Sequence, residues 1–136
     1  MIYHFEKTAS VHLIQITDCH VHNDRERLLS GVNTYDSLTQ VIDGINHCPK
    51  PTDMALITGD LTHEGDERAY QLLLEQLNRL PVPFFWLPGN HDHIAPMSIT
   101  ANHERLHTKQ IILQHSKICI SQAMVPKEMK MAVTVS

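Results

Sequence analysis

Cysteine is scarce in this 136-residue chain, with only Cys19, Cys48 and Cys119. Three thiols cannot all pair within one chain and no disulfide spacing is visible, so a disulfide scaffold is excluded and a reducing, cytoplasmic setting is expected. Long apolar runs are missing too. No stretch reaches the roughly 18 apolar residues of a membrane span, and residues 1–17 lack the basic start and apolar centre of a secretory leader. Positive charge is in short supply: 11 Lys and Arg stand against 15 Asp and Glu, a net charge of −4. That balance gives no general attraction for nucleic acid or for anionic membranes, so neither is expected as a partner. A phosphate-bearing substrate must be drawn by a local source such as a bound metal. There is no internal repeat and no low-complexity tract.

Histidine, by contrast, is plentiful. The chain has 11, and imidazole is the commonest metal ligand. His4, His12 and His47 lie outside any motif and are expected at the surface. The length suits one domain, residues 1–136, able to bury about two thirds of its unfolded surface.

Apolar periodicity gives a β-α-β-α-β-α order followed by two short strands, an α/β fold. Residues 11–17 read as a buried strand and 21–33 as a loop containing Gly31. Residues 34–47 form a helix with Leu38, Val41, Ile42 and Ile45 on one face, Asn33 as N-cap, and Pro49 and Pro51 beyond its end. A strand over 54–58 follows, then a helix from Asp66 over about 67–80 with Tyr70, Leu73, Leu74, Leu77 and Leu80 inward. A strand over 84–87 precedes a weaker helix from Pro96 to about residue 106. Residues 110–114 and 117–121 read as strands, and 122–136 form an unassigned tail. Strands alternating with helices imply parallel pairing.

Three of the strands end in polar groups able to hold metal. Leu13–Thr17 runs into Asp18-Cys19-His20, Met54–Thr58 into Gly59-Asp60, and Phe84–Leu87 into Pro88-Gly89-Asn90-His91-Asp92. Ligands of open α/β sheets bind at the carboxyl ends of the strands, so parallel neighbours would gather all three groups on one edge. In an extended chain Asp18 and His20, two residues apart, would point the same way. Glycine lets the chain turn ahead of Asp60. Asn90 offers an amide oxygen, His91 an imidazole, and Asp92 a carboxylate able to hold that imidazole in one tautomer. Each stretch alone reads more readily as a polar turn; the three together point to a metal site.

Asp18-x-His20, Gly59-Asp60 and Gly89-Asn90-His91-Asp92 together resemble the calcineurin-like metallophosphoesterase superfamily. More narrowly, the stretches Gly31–Ser37 and Leu87–Asp92 resemble bacterial class III 3′,5′-cyclic AMP phosphodiesterases. The resemblance implies a two-sheet sandwich flanked by helices and two divalent ions (Fe, Mn or Zn). Asp18 and His20 would bind the first metal, Asp60 would bridge both, and Asn90 would bind the second. His91 would contact the scissile phosphate and assist the leaving oxygen, with Asp92 orienting it; His20, Asp60, Asn90 and His91 would line the substrate. The substrate implied is a small cyclic nucleotide, opened to 5′-AMP by metal-activated water. Another phosphoesterase activity, or a non-catalytic metal-binding module, is the alternative.

The pattern is incomplete. The family carries three more ligand histidines, two of them in a Gly-His-x-His motif, and none of the five glycines here precedes a histidine. The sequence therefore reads as the N-terminal part of such an enzyme, with the second half of the sandwich missing. It is expected to bind one metal weakly and to turn over cyclic AMP poorly, and its open sheet either pairs with a second copy in a homodimer or leaves the chain marginal in solution. Among histidines that might substitute, His22 continues the spacing from His20. His63, His93, His103, His107 and His115 are expected to face solvent.

Overall fold

The structure, a computed structural model, describes residues 12–50, 52–100, 106–107, 111–112, 118–123 and 130–135. Its centre is a parallel sheet. Strands β1 (Leu13–Thr17), β4 (Met54–Thr58), β5 (Phe84–Trp86) and β6 (Leu106–His107) lie side by side in that order, every pair parallel. Between β1 and β4 come the two-residue strands β2 (Leu28–Leu29) and β3 (Val32–Asn33), then helix α1 (Thr34–Asn46). Helix α2 (Glu67–Leu77) links β4 to β5, and α3 (Ile94–Thr100) follows β5. Strands β7 (Ile111–Ile112), β8 (Ile118–Ala123) and β9 (Lys130–Val135) form a separate antiparallel sheet, so part of the tail left unassigned is a strand.

Burial follows position in the sheet. All five residues of β4 and all three of β5 are buried, as a continuous apolar run in a parallel sheet requires. In β1 only Ile16 is buried. Helix α2 lays Tyr70, Leu72, Leu73 and Leu77 into the core, where the Tyr70 ring meets Trp86 edge-on at 5.7 Å. Helix α1 buries Leu38 and Ile42, flanked by Tyr35 and Ile45. Val41, expected on that face, is 48% exposed. It lies on the far edge of the stripe from Tyr35, and the core is met on the Tyr35 side.

Both helices start where the capping residues place them. Asn33 Oδ1 accepts from Asp36 N at 3.0 Å, and Asp66 Oδ1 accepts from Ala69 N at 2.9 Å. α2 closes at Leu77, before the Leu80 expected from periodicity, because Asn78 and Arg79 form a turn. Leu80 is buried all the same. α3 begins two residues before Pro96. The loop expected over 21–33 contains the β2–β3 hairpin. Its tip, Ser30-Gly31, has φ of 50° and 85°, both in the left-handed region that tight two-residue hairpins need.

Candidate metal centre

The loops leaving β1, β4 and β5 emerge from the same edge because their strands are adjacent and parallel. Backbone pairing continues past the strand ends and locks the first two loops together. Asp18 N donates to Thr58 O at 3.0 Å, His20 N to Asp60 O at 3.0 Å, and Val21 N to Leu61 O at 3.2 Å. Asp18 and His20 are not extended, as their spacing had suggested. Their φ values are 54° and 44°, a left-handed conformation that Asp and His adopt more readily than most residues. Such strain persists where surrounding contacts over-determine it and clusters at functional sites. Here the paired backbone holds it, and Thr34 Oγ1 adds a bond to His20 O at 2.9 Å.

Two glycines make the close approach. A Cβ on Gly59, whose φ is 72°, would lie 2.7 Å from Asp18 Oδ1, and a Cβ on Gly89 would overlap Asp60 Oδ1 and the Asp60 backbone. With both side chains absent, the three loops converge. Asp18, His20 and Asp60 bring one donor atom each within 4.8 Å of one another. His20 Nε2 lies 3.6 Å from Asp60 Oδ2, and His91 N donates to Asp60 Oδ1 at 3.0 Å. Asn90 is exposed, and the residues on either side of it, Gly89 and His91, are the ones that approach Asp60. Two carboxylates and an imidazole, gathered at this range, form a donor set that fits a divalent metal ion.

The Thr17 hydroxyl, donating to Asp18 Oδ2 at 2.6 Å, holds the Asp18 carboxyl below its ordinary value and keeps it anionic. Cys19, between Asp18 and His20, is a different case. Burial, then the nearby charges of Asp18 and Asp92, pushes its thiol up to about 12, so the metal-free chain keeps it protonated at neutral pH.

Two expectations need correction. Asp92 was expected to hold the His91 imidazole. Instead, its Oδ2 accepts from Leu61 N and Gly89 N, and its Oδ1 from Thr62 N, Thr62 Oγ1 and Tyr70 Oη, at 2.8 to 3.0 Å. Asp92 ties the β4 loop, the β5 loop and α2 together. His91 Nδ1 lies 3.0 Å from His63 O. A carbonyl only accepts, so Nδ1 carries the proton and Nε2 is left for chemistry.

The second correction concerns the spare histidines. His22, favoured as a substitute ligand, is 2% exposed; its Nδ1 meets Glu64 Oε1 at 2.6 Å, and it joins neither group of ligand atoms found among the described residues. His63, expected in solvent, is half-buried and packed among His20, His22 and His91, with ring centroids 4.7 to 5.6 Å away. Loss of hydration, then the neighbouring His22, lowers its pKa from the ordinary value. His93 is exposed as expected; the side chains of His103, His107 and His115 lie outside the described residues.

Comparison with known proteins agrees with this geometry. The model of the calcineurin-like phosphoesterase family matches residues 11–119. The chain is 34% identical to the 3′,5′-cyclic adenosine monophosphate phosphodiesterase CpdA of Haemophilus influenzae over 112 residues, covering 82% of this chain and 40% of that protein. It is 38% identical to the protein of that name in Escherichia coli K12 over 84 residues, 62% of this chain and 30% of the relative. A probable glycerophosphodiester phosphodiesterase, GpdQ, of Arcobacter nitrofigilis is 32% identical over 81 residues, 60% and 30% of the two chains. The chain thus spans well under half the length of these relatives. With a family model matched across most of its length and the motif residues gathered at one sheet edge, the chain belongs to the calcineurin-like phosphoesterases.

Proposed function

We propose that these residues form the metal-binding part of a phosphodiesterase site that opens 3′,5′-cyclic AMP to 5′-AMP. The observation that carries this reading is the convergence of Asp18, His20 and Asp60, with His91 hydrogen-bonded to Asp60 through its amide. Relatives named as cyclic AMP phosphodiesterases support the substrate. Asp18, His20 and Asp60 would hold one divalent ion, and Asp60 with Asn90 a second; Fe, Mn or Zn suits these mixed nitrogen and oxygen donors. Bound there, such ions supply Lewis acidity and an acidified water.

The chain's own groups do the rest. Water adds across the P–O3′ bond, its hydroxyl to phosphorus and its proton, in balance, to O3′. His91, with Nδ1 fixed on His63 O, donates from Nε2 to that leaving oxygen when the ring is cationic. Asp92 ties together the two loops that carry Asp60 and His91. Because the chain spans 30–40% of the compared relatives, turnover by this chain alone is expected to be weak.

The test is a substrate panel with Mn(II), Fe(II) or Zn(II) added. 5′-AMP should form from cyclic AMP only with metal, and His91→Ala should reduce the rate by about 100-fold or more, the usual range for a general acid. Hydrolysis of a glycerophosphodiester with cyclic AMP untouched favours the second reading, which the GpdQ relative supports. Metal binding with no diester cleaved would leave a non-catalytic metal-binding module.

A further inference from the structure

A second group of donors shares His20 with the site above but contains no carboxylate. His20, His63 and His91 each place a ring nitrogen within 4.8 Å of the other two. His20 presents one nitrogen to each group: Nε2 lies 3.6 Å from Asp60 Oδ2, and Nδ1 lies 3.4 Å from His63 Nδ1. The latter distance is informative. Nitrogens about 2.0–2.1 Å from a tetrahedral zinc lie about 3.3 Å apart. His91 Nδ1 is committed to the His63 carbonyl at 3.0 Å, which fixes its tautomer and leaves Nε2 as the atom it can offer. The three ring centroids lie 4.9 to 5.6 Å apart, with His63 and His91 at 4.9 Å and an interplanar angle of 26°. Gly65 permits this packing: its φ is 70°, and a Cβ there would fall 2.7 Å from His91 O.

We propose that His20, His63 and His91 form a three-imidazole site for a borderline divalent ion such as Zn(II), distinct from the Asp18–His20–Asp60 donor set and adjoining it through His20. Three neutral nitrogens and no carboxylate select zinc, cobalt or nickel over magnesium, and because a neutral imidazole has one lone-pair nitrogen, His20 serves only one of the two donor sets at a time. The proposal rests on the metal-site reading above only through the shared His20, and not on the identity of any substrate. An ion held by His91 Nε2 occupies the lone pair that proton transfer needs, so the two uses of His91 exclude each other.

Zinc titration of the apo chain, followed by calorimetry and by long-range nitrogen–proton NMR of the imidazoles, tests it. In the Asp18→Asn/Asp60→Asn double variant, one equivalent of Zn(II) should still bind, and adding His63→Ala should weaken that binding by at least about 10-fold. Mg(II) should not compete. In the unmodified chain, the nitrogen resonances of His63 should shift on zinc addition while those of His47 stay in place. The NMR arm needs no variant to fold. His63 nitrogens that do not move as zinc binds would overturn the proposal, as would a double variant whose zinc affinity is indifferent to His63→Ala. Failure to cleave cyclic AMP would bear on the proposed activity and leave this site standing.

Discussion

Removing the Asp92 carboxylate would strand three backbone amides, those of Leu61, Thr62 and Gly89, together with the hydroxyls of Thr62 and Tyr70. Tyr70 is fully buried, and part of this group cannot turn to water. A donor left buried and unsatisfied costs about 1–3 kcal/mol, and only those of the five that cannot turn to water, Tyr70 Oη foremost, incur it. Asp92→Ala is therefore expected to destabilise the chain by about 2–4 kcal/mol in urea unfolding, whereas His91→Ala should leave the midpoint nearly unchanged. Equal effects of the two would mean that Asp92 serves His91 rather than the loops. Sequence reasoning placed Asp18, His20, Asp60 and Asn90 on one edge but misjudged Asp92 and His63, for a common reason. Adjacency in the chain put Asp92 beside His91, yet consecutive residues of a turn face different neighbours. His63 had no partner in sequence at all; its partners come from the loops after β1 and β5. A sequence offers spacing within a loop, not which loops face each other.

Elements were legible where local chemistry decides them. Asn33 and Asp66 read as caps because Asn and Asp oxygens satisfy amides that a helix start leaves free, and both make that bond. Asp66 does more: its Oδ2 accepts from Asn23 Nδ2 at 2.6 Å, binding α2 to the loop after β1. Asp66→Ala should accordingly cost about 1–2 kcal/mol in thermal or urea unfolding, at the upper end of the range for a lost cap. Asp66→Ser keeps the cap but not the reach to Asn23, and should fall between the two. A loss under a few tenths for Asp66→Ala would show that α2 is held by its buried face alone. The β2–β3 hairpin escaped the sequence reading because its strands have two residues each and Ser-Gly is a weaker turn signal than Asn-Gly or Asp-Gly. Strand β6 was missed likewise: two residues carry no period, and only pairing with β5 makes them a strand.

At the scale of the whole molecule, the convergence of the loops is a consequence of strand order. β1, β4 and β5 are sheet neighbours, so groups more than 70 residues apart in the chain, Asp18 and His91, belong to one cluster. Gathering carboxylates and imidazoles at one edge links the stability of the metal-free chain to pH, and the sign follows from the shifts of His63 and Asp18. The folded-state pKa of His63 lies below its ordinary value of 6.5, chiefly through lost hydration. The unfolded chain therefore takes up that proton first, and acidification below pH 6.5 favours unfolding until the folded value is passed. Asp18, lowered from 3.8 chiefly by the Thr17 hydroxyl, acts in the same direction further down: its contribution is present above 3.8 and lost as pH falls through the folded value. Unfolding midpoints of the apo chain should thus decline on acidification in two stages, and His63→Asn should flatten the upper stage alone. Bound zinc adds stability as RT ln(1 + [L]/Kd), about 2.7 kcal/mol at a hundredfold excess over Kd. Since ligation requires unprotonated imidazoles, that increment should vanish over the pH range in which they protonate. A midpoint that zinc raises equally at acid and neutral pH would place the ion on carboxylates or elsewhere, away from the histidines.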